Sequence, residues 1–260
     1  MRGLLGGQAP RRAGVGAGVG AGVGAGVRLG ATAALAAGTA LAGLAGLAGF
    51  AGPAGASGSS QYAGLKKALL VRSDFPSGWS GQGSVTTSNG GGGGFPGQAQ
   101  LASCVGVSSS LLNIKSPTAT SPNFQDKQGE HYVQDNENTF SSTKVANEEY
   151  GAVSGSKVPS CLTADMSSPS VKAELQNEMK GATVGTVSVS AANPAGLVPH
   201  SSGFTISFPA TLQGVSVNVG VTIVSMVRGK TGAQLSFTAV GLPFSRSLEH
   251  HLVSVAYGRT

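Results

Sequence analysis

The residue types that carry out chemistry are sparse in this chain of 260 residues, in which 11% of the residues are charged. Serine is abundant, yet no Gly-x-Ser-x-Gly segment sets a serine at the sharp turn that a hydrolase nucleophile occupies. His131 and His200 are isolated histidines. His250 and His251 are neighbours that would point about 100° apart on a helix, so they cannot chelate one metal ion together. These observations predict no catalytic residues, no metal site and no cofactor.

Acidic residues occur beside other ionisable residues or are spread along one segment. The pairs Glu130–His131 and Glu148–Glu149 are adjacent in sequence, and adjacent side chains splay apart in a helix or a strand. Both pairs are therefore interpreted as surface charge. Asp126, Asp135 and Glu137 lack the spacing, the glycine and the terminal glutamate of a calcium-binding loop. The sequence thus favours no calcium site.

Cysteine occurs twice, as Cys104 and Cys161. In an exported protein, a single pair of cysteines is most simply one structural disulfide. A disulfide that closes so long a loop is worth roughly 4 kcal/mol in the chain-entropy description. A redox pair would have Cys-x-x-Cys spacing, and a zinc site would need further ligands at close spacing. We therefore expect a structural disulfide.

The net charge of +6 belongs mostly to the beginning of the chain. The first 56 residues contain four arginines and no acidic residue, so the remainder is nearly neutral. Lysines and arginines of the remainder are scattered among acidic residues, whereas a nucleic-acid-binding protein concentrates them in a stripe. We therefore exclude nucleic acid as a partner.

Residues 1–56 form a Gly- and Ala-rich leader with the pattern of a signal peptide. An uncharged stretch, residues 29–52, follows Arg28, and Ala54 and Ala56 supply the small side chains of a signal-peptidase site. We expect cleavage near Ala56 and a secreted or envelope-associated protein. The alternative is an uncleaved membrane anchor, since about 20 apolar residues span a bilayer. Only such an anchor would bring the chain into contact with a membrane.

Residues 57–260 are long enough for one extracytoplasmic domain with one core. Apolar residues at helical spacing predict helices near residues 61–70, 143–154 and 168–180, and after Ser245 or Ser247. Five consecutive glycines predict a flexible Gly-rich loop over residues 80–98.

The C-terminal third alternates apolar and polar residues, which is typical of antiparallel strands with one face against a core. Residues 131–140 also alternate, but neither face is clearly apolar, which indicates an edge or surface strand. The sequence therefore predicts an α+β fold, in which helices pack on one face of an antiparallel β-sheet.

Ten polar residues would lie together on one face of these strands. They are Ser188, Ser190, Thr205, Ser207, Ser216, Asn218, Thr222, Gln234, Ser236 and Thr238. A curved, uncovered face of this kind is a binding groove, and the alternative is an ordinary solvated face. We assign ligand binding to Ser216, Asn218 and Ser236. Trp79, beside the Gly-rich loop, is a further candidate for a ligand wall, with a core position as its alternative.

Several segments together resemble a known family. They are LASCVGV, SPNF, TFSSTKVANEEYGAV, VPSCL and the hairpin that runs into MVRGKTGAQLSFTAVGLPFSRSLEHHLVSVAYGRT. Over residues 61–260 the chain resembles exported actinobacterial envelope proteins similar to the extracellular sensor domain of PknH-type Ser/Thr kinases. The resemblance implies an α+β domain with a cleft proposed to bind a ligand outside the membrane, without catalysis. It also matches Cys104 and Cys161 to a disulfide, although that family carries two disulfides and this chain can form one.

These observations predict a non-enzymatic binding or sensor-like domain of the cell envelope, whose partner is a small envelope molecule or an envelope protein. One alternative is a secreted serine-type hydrolase, with His131 or His200 as its histidine. A serine, a histidine and a carboxylate that converge in the fold would favour this hydrolase. The other alternative is a structural cell-wall protein without a ligand.

Overall fold

The computed structural model of the chain describes residues 61–90, 98–178, 182–192, 198–212 and 214–260. The leader, residues 1–56, and its expected cleavage point lie outside the described residues. Within the described ranges, no helix is both long enough and apolar enough to cross a bilayer.

The described residues contain six α-helices. They are α1 (Gln61–Ala68), α2 (Gln98–Val105), α3 (Thr143–Ser154), α4 (Val158–Met166), α5 (Pro169–Glu178) and α6 (Arg246–Arg259), with single 3₁₀ turns at Arg72–Asp74 and Leu111–Asn113. The Ser142 hydroxyl accepts a hydrogen bond from Val145 N at 3.2 Å, and the Ser245 hydroxyl accepts one from Leu248 N at 3.5 Å. Both hydroxyls satisfy backbone N–H groups that the first helical turn leaves unpaired. The helices predicted over 143–154 and after Ser245 are confirmed.

Ten strands of the described residues form one antiparallel sheet. They are β1 (Ser80–Gln82), β2 (Thr86–Gly90), β3 (Ser116–Thr120), β4 (Asn123–Gln125), β5 (His131–Thr139), β6 (Thr183–Val184), β7 (Ser188–Ala192), β8 (Ser201–Leu212), β9 (Val215–Arg228) and β10 (Thr231–Val240). The order across the sheet is β1-β4-β5-β10-β9-β8-β6, and β3 pairs with β5, β2 with β3, and β7 with β8. The fold therefore belongs to the α+β class with an antiparallel sheet, as the sequence predicts.

Strand β5 is central in the sheet, whereas its sequence predicts an edge or surface strand. It pairs with β10 along one side and with β3 and β4 along the other. Asp135, Asn136, Glu137 and Asn138 are all buried. The edge prediction is wrong because these polar residues are covered by elements from distant parts of the chain, which a local pattern does not reveal.

Part of the predicted Gly-rich loop belongs to the sheet. Within residues 80–98, β1 pairs with β4 and β2 pairs with β3. Both strands are held in the sheet by backbone hydrogen bonds, which do not depend on the side chains. Their polar side chains therefore do not reveal the pairing. Residues 91–97, which contain glycines 91–94, lie outside the described residues.

Helices cover both faces of the sheet, whereas the sequence predicts helices on one face. On one face, called here the α6 face, helix α6 packs in a cluster with Leu235 and Phe237 of β10. On the opposite face, called here the α4 face, helices α2, α4 and α5 pack with Ile206 of β8 and Ile223 of β9. The core is therefore divided into two layers by the sheet.

The register between β9 and β10 explains why both faces are covered. Thr222 is opposite Phe237, and Ile223 is opposite Ser236. Because directly opposed residues point to the same face of a sheet, the apolar residues of β9 and β10 lie mostly on different faces. Burial of both sets requires helices on both sides. The polar residues of β7, β8 and β9 then occupy a part of the α6 face that stays open.

A disulfide joins Cys104 of α2 to Cys161 of α4, with a Cα–Cα distance of 5.8 Å. This is the pair expected from the sequence. Cys161 is buried in the core of the α4 face beside Leu162. The bond ties two helices of one layer together and leaves the open part of the α6 face untouched.

Candidate functional site

The open part of the α6 face has a floor of hydroxyl groups. Ser190 of β7 is opposite Thr205 of β8, and Thr205 is opposite Thr222 of β9. Further along, Ser188 is opposite Ser207. The Thr205 and Thr222 hydroxyls are hydrogen-bonded at 3.0 Å. Because opposed residues share a face, the strand register alone brings these five neutral side chains together.

The loop that leaves β10 and the start of α6 form one wall above this floor. The loop, residues 241–245, begins at Gly241, whose φ of 86° is a conformation that favours glycine. Two depressions, of about 520 Å³ and about 540 Å³, lie along the floor. Both are lined by Ser207, Gly220, Ala239 and Pro243. They therefore form one continuous groove, called here the hydroxyl groove.

The hydroxyl groove is neutral along most of its length and charged at one end. Arg246, Glu249 and His250 of α6 line the charged end. Burial raises the pKa of Glu249, an effect that His250 and Arg246 partly offset. The remaining lining is hydroxyl, amide and apolar. A ligand in the groove would therefore meet mostly neutral donors and acceptors.

Gly220 lies at the centre of the hydroxyl groove and lines both depressions. A Cβ atom at this position would meet no other atom within 4 Å, so the space above the backbone is open. Glycine in a strand interior commonly marks a place where a ligand or another chain approaches the backbone closely. A larger side chain here would extend into the groove.

Three of the ten residues predicted to share one polar face lie on the opposite face. Ser236 is opposite Ile223, on the α4 face. Gln234 and Thr238 share the face of Ser236 because side chains two residues apart in a strand point the same way. The prediction of a single face is wrong for these three because β10 enters the sheet with its apolar residues on the α6 face.

The residues assigned to ligand binding are therefore separated by the fold. Asn218 lines the hydroxyl groove. Ser216 lies on the same face, and its hydroxyl accepts a hydrogen bond from Thr211 at 3.4 Å. Ser236 is on the other side of the sheet. Ligand binding by Asn218 stays a prediction, and the structure gives Ser236 no access to the same site.

Trp79 lies behind the wall of the groove and supports it. Its ring centroid is 6.0 Å from that of Phe244 and 5.1 Å from that of Phe75. Phe244 lines the groove and also contacts Phe237, at 5.2 Å between centroids. This aromatic cluster fixes Phe244, which lines the groove, and the ligand wall expected of Trp79 stays a prediction.

An ion pair at the start of β5 contacts the same wall. His131 Nδ1 lies 2.7 Å from Asp126 Oδ2, and His131 Nε2 lies 3.2 Å from the Leu242 carbonyl oxygen. The His131 ring meets Phe244 edge-on, with 5.4 Å between centroids. Burial alone would raise the pKa of Asp126, but hydrogen bonds from His131 and Glu130 hold it below its ordinary value. Interpretation of His131 as surface charge is wrong, since its side chain is 18% exposed.

Three carboxyl groups are buried among the side chains that the structure describes. Asp135 lies opposite Leu235, on the α6 face, and accepts a hydrogen bond from Leu70 N at 2.8 Å. Burial raises the pKa of Asp135, and burial together with Asp135 raises the pKa of Glu137. Burial in α3 raises the pKa of Glu149 to about 8. Interpretation of Glu149 as surface charge is therefore wrong.

A cation lies near the buried acids of β5. Arg259, in the last turn of α6, donates two hydrogen bonds to the Asp74 carboxylate, at 2.8 Å and 2.7 Å, and a third to the Leu69 carbonyl at 3.0 Å. These bonds anchor the end of α6 to the segment that follows α1.

Among the described residues, no three His, Cys, Asp or Glu side chains gather into a metal site.

The two isolated histidines do not meet a serine side chain in the ranges that the structure describes. Both ring nitrogens of His131 face other acceptors, on Asp126 and Leu242. His200 contacts the Tyr150 ring edge-on, at 6.4 Å between centroids. A serine hydrolase requires a serine within hydrogen-bond reach of its histidine. The described geometry therefore adds no support to the hydrolase alternative.

Comparison with known proteins gives a likeness of fold alone. No family model matches the sequence, and no characterised protein matches it by sequence. In structure, the chain is similar to the extracellular domain of PknH from Mycobacterium tuberculosis, with 11% identity and a TM-score of 0.36. The chain loosely resembles that domain. The likeness covers 78% of this chain and 97% of that domain, and at this TM-score it supports no argument about function.

The wall of the groove was missed by sequence reasoning. Phe244 belongs to it, and His131 contacts it from the start of β5, a distant part of the chain. A signal for Phe244 is present, because residues 241–245 contain two large apolar residues in a short connection between β10 and α6. The contact with His131 depends on the pairing of β5 with β10, which the sequence does not predict.

Proposed function

We propose that this chain is a non-enzymatic, extracytoplasmic binding domain whose hydroxyl groove takes a small, uncharged ligand rich in hydroxyl groups. The observation that carries the proposal is the open floor of serine and threonine hydroxyls beside the ring of Phe244. A sensor-like role is an instance of this function, in which occupancy of the groove is reported to another protein.

The chemistry of the floor favours a polyhydroxylated ligand. A serine or threonine hydroxyl both donates and accepts hydrogen bonds, so it can match a ligand hydroxyl in either direction. The ring of Phe244 offers an apolar surface beside these polar groups, which suits the C–H face of a sugar-like molecule. The depressions have the volumes of ordinary small-ligand sites, which are about 300–1,000 Å³.

The proposed location rests on the sequence. The leader has the charge, apolar and small-residue regions of a signal peptide. The disulfide between Cys104 and Cys161 is of a kind that persists in oxidising compartments. Both observations favour a protein that works outside the cytoplasm.

The proposal is tested by titrating the purified protein with neutral sugars and following backbone amide signals by NMR. The probes are glucose, trehalose, maltotriose and chitotriose. We expect one or more probes to shift the amide signals of Thr205, Ser207 and Thr222 in a saturable way. The variant Gly220→Val should lose these shifts because its side chain would occupy the centre of the groove.

A glycine far from the groove supplies the matched control. Gly64 lies in α1, and a Cβ there would also meet no atom within 4 Å. Gly64→Val should therefore keep the response to the probes. Shifts that persist in Gly220→Val, or a floor that no probe affects, would contradict the proposal.

A further inference from the structure

His131 lies between two hydrogen-bond acceptors. Its Nδ1 is 2.7 Å from Asp126 Oδ2, and its Nε2 is 3.2 Å from the carbonyl oxygen of Leu242. A carboxylate and a carbonyl can only accept, so both contacts require the histidine to donate. An imidazole carries N–H groups on both nitrogens only when it is protonated.

A neutral His131 would lose one of the two contacts. With the proton on Nδ1, the lone pair of Nε2 would face the Leu242 carbonyl. With the proton on Nε2, the lone pair of Nδ1 would face the Asp126 carboxylate at 2.7 Å. Each neutral arrangement sets a lone pair against an oxygen, so only the imidazolium can donate to both acceptors.

Asp126 is held so that it cannot turn away from His131. Its Oδ1 accepts hydrogen bonds from Glu130 N at 3.0 Å and from His131 N at 3.4 Å, which leaves Oδ2 directed at Nδ1. The Asp126 side chain is 12% exposed. Hydrogen bonds from His131 and Glu130 hold the pKa of Asp126 below its ordinary value despite burial, which favours the charged carboxylate. When His131 loses a proton, the Nδ1 proton is therefore the better retained one, and the Leu242 contact is lost.

Leu242 belongs to the loop that walls the hydroxyl groove. The loop is also attached to the sheet by a hydrogen bond from Gly241 N to the Asn218 carbonyl at 2.7 Å, and by the packing of Phe244. The Leu242 side chain is 63% exposed, so it adds little packing of its own. Loss of the His131 contact would leave the middle of the loop without a polar attachment to β5.

We propose that protonated His131 is a positioning residue that holds the wall of the hydroxyl groove, so that the wall is fixed at acidic pH and loosens when His131 becomes neutral. The charged ring bonds both Asp126 and the loop, whereas the neutral ring bonds one of them. The groove would then bind its ligand more tightly on the acidic side of the histidine titration.

Other ionisable groups near His131 do not reproduce this effect. On the hairpin that carries His131 they are Asp126, Lys127, Glu130 and Tyr132, and across the wall they are Arg246, Glu249 and His250 of α6. Burial raises the pKa of Tyr132 to about 12, beyond the relevant range. Residues 241–245 contain no ionisable side chain. His250 is the histidine that lines the groove itself, so it requires a control variant.

The single tryptophan of the chain provides a direct readout without any ligand. Trp79 contacts Phe244 of the wall, so loosening of the wall should admit water to its ring and move its fluorescence to longer wavelength. The fluorescence is measured between about pH 5 and about pH 9, across the histidine range. The C2–H signals of the four histidines are followed by NMR over the same range. We expect the fluorescence shift and the His131 titration to have the same midpoint.

Variants separate His131 from other sources of pH dependence. His131→Gln should abolish the fluorescence transition, while His250→Gln and His200→Gln should keep it. Asp126→Asn, which removes the charge beside His131, should move the fluorescence and the His131 midpoints together to lower pH. Circular dichroism and a cooperative thermal transition verify that each variant is folded.

Three results would overturn the inference. They are a constant fluorescence while His131 titrates, a transition that persists in His131→Gln, and a His131 signal that does not move over the range. None of these measurements involves a sugar or another ligand. The positioning role of His131 can therefore fail while ligand binding in the groove stands, and the reverse also holds.

Discussion

At position 232 the sheet leaves no room for a side chain. A Cβ there would lie 2.6 Å from Asn138 Oδ1 and 2.9 Å from a ring carbon of Phe140. We expect Gly232→Ala to lower the free energy of unfolding by about 1–3 kcal/mol, the usual cost of overpacking. Gly220→Ala is the matched control, since a Cβ at 220 meets no atom within 4 Å. Equal stabilities of the two variants in urea unfolding would contradict this reading of the sheet.

Glu149 makes stability depend on pH. Its pKa is raised from 4.5 to about 8 by burial, so the folded protein keeps a proton that the unfolded chain releases. Stability then falls as the pH rises between these two values. We expect Glu149→Gln to reduce this decrease of the unfolding free energy with pH by up to about 1.4 kcal/mol per pH unit.

The neighbouring acid supplies the control for Glu149. Glu148 is exposed and lies 3.8 Å from Lys144, so Glu148→Gln should leave the slope unchanged. Part of the pH dependence of stability should persist in both variants because burial also raises the pKa of Asp135 and of Glu137. Identical pH profiles of unfolding for the two variants would show that Glu149 is not buried in its protonated form.

Among the structural elements, α2 and α4 are joined covalently by the disulfide. Replacement of Cys104 and Cys161 by serine should lower the free energy of unfolding by roughly 4 kcal/mol, since the unfolded chain gains freedom. The measurement is urea unfolding, and a reducing agent should destabilise the wild-type protein alone. A double variant as stable as the wild-type protein would contradict the structural role of the bond.

The sequence predicts helices and strands that have local signals such as caps and apolar periodicity. It does not predict those whose burial depends on segments distant in the chain. Ser142 as a cap and apolar residues at helical spacing predict helix α3 from the sequence. The polar residues of β5 contain no comparable signal, because they are covered by distant segments: Leu70 N bonds Asp135, and Asn138 lies beside Glu149 of α3. For the same reason, the sequence predicts the residues of the floor of the groove but not its wall.

At the scale of the whole molecule, the groove arises from the way in which helices cover the sheet. Helix α6 packs over β5 and β10, and the α4 face is covered by α2, α4 and α5. The polar part of the α6 face over β7, β8 and β9 is left open beside the loop at residues 241–245. The register of β10 decides this arrangement. The sequence predicts the alternation of apolar and polar residues in β9 and β10. It does not predict the face of the sheet on which each strand buries its apolar residues.

The central claim is that the hydroxyl groove holds a small ligand, and it is tested most directly by native mass spectrometry. The protein and its Gly220→Val variant are purified from the envelope of the host, and each is measured under native and denaturing conditions. We predict an added mass on the wild-type protein that disappears on denaturation and is missing from Gly220→Val. A wild-type protein without added mass, or the same added mass on both proteins, would contradict the claim.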